Sequence, residues 1–454
     1  MTRHYKTLHD NQDASSASTS GTNTTSRKDI LNKCLINIII KDCQPVSIVE
    51  DVGFREMLQV LEPSYAIPSR KVTRSVINDW GISEKVRCLV TDGGANIIAS
   101  ARILQIRHSY CIAHSLNLIV KKSCDQVPAL LEIRNKTKQI VTYFRSSTTG
   151  KEKLTEIQKQ MGKPVLKLIN EVPTRWNSTY QMFARIVEQK EPVWVTLATL
   201  NSQIPPLTTE EVEIISESLS VLGPFDIATL ELSQEKRVCG SKVIPILKML
   251  HYSLHNSFQK LNTIPAKHLC DQLLKRLVEA ISSFETSSTL SLATLLDPRY
   301  KVIGFLSSAK ASEAVKRLKS ECAAEMRSST APSPHPHPGP SSTPASSDSL
   351  WHQLDLEILQ SQKQSNVMAD AIIEVQRYLS GPNSPRSQDP IEYWETQRSN
   401  FPHLFKLAQK FLSTPASSVP CERVFSKAGE LVSKRRNRLG PSLLQKLLFL
   451  NKNV

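Results

Sequence analysis

No Cys-x-x-Cys pair occurs among the nine cysteines, whose number is odd and whose positions (Cys34, Cys43, Cys88, Cys111, Cys124, Cys239, Cys270, Cys322, Cys421) are scattered. That pattern excludes a RING-like zinc array and a regular disulfide framework. Reduced thiols in an intracellular protein are the expectation. No apolar run reaches the roughly 20 residues that a bilayer demands, and the most apolar stretch, CLINIII at 34–40, falls far short of it. No signal peptide is expected at the start of the chain, no membrane is expected as a partner, and no repeat of solenoid length occurs.

Positive charge, by contrast, is in excess. Lys and Arg number 57 against 42 Asp and Glu, a formal net charge of +15. Each Lys or Arg set against a phosphate releases condensed counterions, so polyanions are favoured partners, although solubilising charge accounts for the same excess. A chain of 454 residues is long enough for two or three domains with ordinary cores.

Composition divides the chain. Residues 11–28 (NQDASSASTSGTNTTSRK) are rich in Ser, Thr and Asn and almost empty of large apolar side chains, so they read as a disordered linker. Residues 29–75 carry helical patterns, with Ile48, Phe54, Leu58 and Leu61 near one face and Pro63 as a stop. KVRCLVTD reads as a short buried strand, followed by a turn at Gly93-Gly94 and a helical ANIIASARIL. From 125 to 325 the spacing is helical, with long amphipathic runs such as IPILKMLHYSLHNSFQKL and LCDQLLKRLVEAISSFE. A Pro/Ser-rich tract at 328–349 is expected to be extended. A further helix and a compact block over about 388–454 follow it.

Four constellations bear on chemistry. His4 and His9 are spaced like the second half of a zinc site, but two histidines alone do not complete a tetrahedral one. Asp92, at the end of a strand, is placed to hold a divalent metal, while Asp-Gly after a strand is also ordinary turn chemistry. Cys111 and His114 are candidate ligands or simply packing. In VPTRWNSTYQMFARI, Pro173 marks a turn, and Thr174, Asn177 or Ser178 is placed to cap a helix carrying Tyr180, Phe183 and Ile186. Trp176 is there either a core anchor or, beside Arg175, a platform for a base displaced from a duplex. Finally, Lys434, Arg435, Arg436 and Arg438 form the densest basic cluster, which fits a solvated loop, a nuclear import signal or a phosphate contact. The leucines after it, Leu443, Leu444, Leu447, Leu448 and Leu450, offer more apolar surface than one short helix hides.

Taken in order, TDGGANI, CIAHSLNLIV, VPTRWNSTYQM, LATLLDPRYK, DPIEYW and PASSVPCERVFSKAGELVSKRRNRLGP resemble the zinc-finger BED domain-containing proteins derived from transposases of the hAT superfamily. The resemblance implies an α+β, predominantly helical fold. Residues 76–149 would supply part of an RNase H-like core, 150–327 a large helical insertion, and 350–454 the rest of the core with a C-terminal dimerisation region. In that region Val424, Phe425, Leu431, Leu443, Leu444, Leu447 and Leu448 would carry the dimer contacts.

The same resemblance makes Asp92 the second acid and Glu422 the third of an Asp-Asp-Glu triad that holds two metal ions. The first acid is not supplied, because IPSRKVTRSVI passes directly into NDWGISEKVRCLVTD, and two-metal phosphoryl transfer needs at least three convergent carboxylates. The surviving strand is also expected to lose sheet neighbours. Residues 1–10 resemble the end of a BED finger, with His4 and His9 as half its site.

Zinc is therefore expected only with a complete finger and magnesium only with an intact transposase, and no cofactor is expected for this chain. The implied protein is a catalytically inactive, nuclear homodimer that binds DNA or chromatin, in transcriptional regulation, with Arg175, Trp176 and Lys434, Arg435, Arg436 and Arg438 facing nucleic acid. The alternatives are a fragment of an active transposase, or the SUMO-ligase activity assigned to some members.

Overall fold

The computed structural model describes residues 86–329, apart from 95–97, 99–100, 103–104 and 236, and then residues 367–424. These lie in one compact unit, Ile77–Val454, separate from the unit Met1–Val76. The expectations placed on His4, His9, the two linkers, the helical segment 29–75, Phe425, Leu431, the Lys434–Arg438 cluster and the later leucines fall outside the described residues.

Two short strands, β1 (Cys88–Thr91) and β2 (Arg107–Tyr110), pair in parallel with Cys88 opposite Arg107 and Thr91 opposite Tyr110. The connection between them is helical at Ile98, Ala101 and Arg102. β2 thus covers one edge of β1. The β2 letters, RHSY, are polar and half-buried, which is why no apolar run announced the strand.

Helices follow without further strands among the described residues. They are α1 (Ile112–Cys124), α2 (Pro128–Ser146), α3 (Thr148–Gln160), α4 (Trp176–Glu188), α5 (Lys190–Thr199), α6 (Thr209–Leu232), α7 (Val243–Phe258), α8 (Ile264–Thr286), α9 (Ser288–Leu296) and α10 (Ser308–Ser329). After the undescribed interval come α11 (Val367–Ser380), α12 (Pro390–Thr396) and α13 (Pro402–Leu412). The fold is predominantly helical, as the sequence implied.

Each long helix buries one stripe. In α8, Leu269, Cys270, Leu273, Leu277 and Ile281 recur at three- and four-residue steps and are buried, so the helix lies with that face against α7 and α1. α6 begins with a capping box, in which the Thr208 hydroxyl accepts from the Glu211 N–H and the Glu211 carboxylate accepts from the Thr208 N–H, satisfying two donors that a bare helix start leaves unpaired.

The central element is α9. Every residue from Thr289 to Leu296 is buried, the behaviour of a helix enclosed on all sides. It contacts α7, α8, α10 and α13, and the four leucines Leu290, Leu292, Leu295 and Leu296 each gain about 1.5–3 kcal/mol by leaving water.

The letters just after it join the two halves of the unit. The buried Asp297 carboxylate accepts from Ser241 Oγ at 2.6 Å and from Arg299 Nε and Nη2 at 2.8 and 2.7 Å, a fork-to-fork pair of the strong kind. Lys301 Nζ donates to the carbonyls of Tyr378, Gly381 and Pro382 at 2.8, 2.9 and 3.2 Å. From the other side, Tyr378 and Trp394 donate to the carbonyls of Leu295 and Leu296. LATLLDPRYK is therefore the seam between the helical region and the C-terminal block.

Candidate functional site

Asp92 follows directly on β1. Its carboxylate is exposed and Oδ1 accepts from the Gly94 N–H at 3.2 Å, the local turn that Asp-Gly sequences favour. Gly93 has φ +90°, and a Cβ there would meet the Tyr110 ring at 2.8 Å, so glycine is required twice over. Behind the turn, Thr91 Oγ1 lies 2.8 Å from His108 Nε2. Burial holds the His108 imidazole below its ordinary pKa.

Glu422 reaches the same end of the strand pair by a continuous route. The Cys111 N–H donates to the Thr91 carbonyl at 2.7 Å, Ser418 N–H donates to Cys111 Sγ at 3.3 Å, and Ser418 Oγ donates to Glu422 Oε1 at 3.1 Å. Glu422 lies in a helical turn over 419–424 and is exposed, with Val424 half-buried beyond it.

The segment before that turn is packed into the core. Ala416 N–H donates to Cys239 Sγ and its carbonyl accepts from Ile112 N–H, Ser417 Oγ donates to the Leu232 carbonyl, and Thr414, Ala416 and Ser417 are all buried. Cys111 thus proves to be a buried packing residue and hydrogen-bond acceptor.

Four further thiols are closed to chemistry by burial. Burial pushes Cys88 and Cys270 up to about 11, and Cys124 and Cys322 up to about 12, so none of the four is a thiolate near neutrality.

The magnesium pair that the resemblance implies needs three or more convergent carboxylates. Asp92 and Glu422 are brought to one end of the strands, but among the described residues no group of three His, Cys, Asp or Glu side chains converges to hold an ion. The donor set described does not fit two metals.

The Arg175–Trp176 pair divides between solvent and core. Trp176 opens α4 and is only 4% exposed, packed edge-on against Tyr180 with centroids 6.1 Å apart, and its Nε1–H is buried without a partner. The indole face needed to stack on a base is enclosed, which is the anchor alternative. Arg175 remains exposed.

The cap on α4 also differs from expectation. None of Thr174, Asn177 or Ser178 is its cap. Instead Asn117, from α1, accepts from the Trp176 N–H at 2.9 Å and donates to the Thr174 carbonyl at 3.2 Å. Lys121 Nζ donates to the Pro173 carbonyl at 2.8 Å. Glu171 takes Arg134, Lys138 and Thr179. Its burial would raise the carboxyl pKa, but those partners outweigh that and hold it below the usual value. The loop bearing Arg175 is thereby fixed from α1 and α2. Asn117 was legible only as one letter of CIAHSLNLIV, since a cap supplied by another helix leaves no local signature.

Two segments of the chain match known family models. Residues 374–454 match the hAT family C-terminal dimerisation region, and residues 109–219 match the ZBED1 RNase-like helical domain. Human zinc finger BED domain-containing protein 4 is 28% identical over 356 residues, 76% of this chain and 29% of that protein. Human zinc finger BED domain-containing protein 6 is 24% identical over 92% of this chain and 43% of its own length. A putative AC transposase of Zea mays is 26% identical over 79% of this chain and 45% of its own length. The chain spans less than half the length of each of these relatives.

Proposed function

We propose that this chain, which carries the hAT dimerisation region and is related to zinc finger BED domain-containing proteins and hAT transposases, works as a DNA-associating homodimer that does not transpose. The observation that carries the reading is the setting of its two family acids. Asp92 and Glu422 stand at the same end of β1 and β2, their segments linked through Thr91, Cys111 and Ser418, yet each engages a local partner and no third acid joins them among the described residues. The sequence upstream agrees, because IPSRK and NDWGI stand almost adjacent with no room for the strand that would bear the first acid.

What the arrangement retains is the docking of 414–418, a segment within the matched dimerisation region. The net charge of +15 supports a polyanionic partner, and the exposed Arg175 and the Lys434–Arg438 cluster are the assigned phosphate contacts. Nuclear residence and a role in transcription follow from that partner.

Sedimentation and DNA binding test the reading together. Truncation after Val424 is expected to abolish self-association. A cut at 415 would instead remove buried core residues and confound folding with assembly. Anisotropy with duplex DNA is expected to show an affinity falling steeply with salt, and Arg175→Ala should lessen the log–log slope by about 1. A truncated chain that stays dimeric, or a full chain that ignores DNA at 50 mM salt, overturns the proposal. So does Mg²⁺- or Mn²⁺-dependent strand cleavage that is lost in Asp92→Asn.

A further inference from the structure

His251 and His255 stand one turn apart on α7 and take no part in anything described above. Residues at i and i+4 share a helix face, and here the two Nε2 atoms are 3.3 Å apart, with ring centroids 4.5 Å apart at 66°. The Nδ1 of His251 is sealed from solvent without a partner, so Nε2 is the nitrogen of that ring that a solvent species reaches. His255 lies in the last turn of α7, which ends at Phe258, where unpaired carbonyls favour a cation.

Without an ion, the pair is held by one shared proton, with one Nε2 protonated and the other accepting. A divalent cation needs both Nε2 lone pairs, so on binding the donor ring carries its proton on Nδ1 instead. With Zn–N bonds of about 2.0–2.1 Å, the observed separation subtends about 104–111° at the metal, the tetrahedral value. A square-planar ion, at about 90°, would need the nitrogens closer, near 3.0 Å.

We propose that His251 and His255 form a chelating pair for Zn²⁺ on the exposed side of α7, with the remaining coordination positions open to water. This lies beyond the DNA-binding, dimeric role and does not depend on it. Lys248, one turn earlier, has its ammonium drawn away to the Ile303 carbonyl at 2.8 Å. Among the described residues no third His, Cys, Asp or Glu completes the set, so the ion is exchangeable, unlike a closed structural zinc.

The test uses the full chain, stripped of metal and kept reduced, at pH 7.5, with Zn²⁺ as the probe. The paired geometry exists only in the folded helix, so Zn²⁺ raises the wild-type Tm relative to a variant lacking one ligand. Histidines and cysteines elsewhere contribute equally to both proteins. His255→Ala and His251→Ala are each expected to lose this difference, to bind one Zn²⁺ fewer by equilibrium dialysis, and to weaken the tightest described binding at least about tenfold. His255→Glu, which restores an oxygen ligand, is expected to recover part of it. Because His255 is exposed, His255→Ala stays folded. Identical Zn²⁺ stoichiometry and Tm response in wild type and His255→Ala overturn the proposal.

Discussion

Gly240→Ala tests whether the segment that delivers Glu422 is seated as described. A Cβ at Gly240 would lie 2.3 Å from the Thr414 carbonyl oxygen, against the 3.4 Å at which ordinary contact begins. The clash is with backbone, so no side-chain rotation relieves it. Residues 414–418 must shift by about 1 Å, which stretches the hydrogen bonds of Ala416 to Cys239 and Ile112 and of Ser418 to Cys111, now 3.0–3.3 Å, beyond useful length. Overpacking costs about 1–3 kcal/mol, and the three lost hydrogen bonds, two of them weak ones to sulfur, add about 2 kcal/mol together. A loss of roughly 3–5 kcal/mol is expected.

Urea unfolding measures it as a fall in midpoint at constant m. Gly223→Ala is the internal control. It sits inside α6, its Cβ would meet the Tyr180 hydroxyl at an ordinary 3.6 Å, and removing backbone freedom from a helix interior stabilises by about 0.5–1 kcal/mol. If Gly240→Ala is within about 0.5 kcal/mol of wild type, residues 414–418 are not held against Gly240, and the route from Thr91 to Glu422 fails with them.

Lys301→Met leaves the carbonyls of Tyr378, Gly381 and Pro382 without their shared donor and should cost about 2–4 kcal/mol by the same denaturation assay; a neutral result would mean the seam after α9 does not depend on the ammonium. Trp176→Phe, which removes a buried N–H that has no partner, should change stability by less than about 1 kcal/mol, whereas Trp176→Ala should cost about 3–5 kcal/mol. Near-wild-type stability of the alanine variant would contradict the anchor role. Acid should destabilise the protein in two stages. His108 and His251 have folded pKa values lowered by burial, so the unfolded chain takes up protons first and stability falls as pH drops below about 6.5. Glu171 and Glu217 are lowered on balance by their hydrogen-bond partners despite burial; their contribution is complete above about 4.3 and is lost as pH falls through the depressed folded values. Thermal melts from pH 7 to 3 should show both limbs, with Glu171→Gln flattening the lower one, and a Tm independent of pH would refute the assignment.

The sequence disclosed those features whose cause is local. α7 and α8 were legible because their apolar residues recur at helical steps along one face. β1 was legible because CLVT is apolar and ends at an Asp-Gly turn. β2 was not, since its four residues are mostly polar and become a strand only by pairing with β1. The cap of α4 was misplaced because Asn117 reaches it from another helix. The burial of Trp176 was left undecided because an indole beside a guanidinium has the same letters whether its face meets a core or a base.

The acids show where motif reading reaches its physical limit. Letters identify Asp92 and Glu422 as members of a set, but the seating of the segment that leads to Glu422 rests on Cys111 and Cys239, whose sulfurs accept N–H groups from 418 and 416. Those contacts exist to satisfy buried backbone donors, which would cost about 1–3 kcal/mol each if left unpaired. PASSVPCE is thus held in place by packing that would be needed whether or not any metal were bound beside it. The packing of the motif accounts for where the segment sits, so catalytic competence has to be argued from the number of carboxylates that converge rather than from the motif's presence.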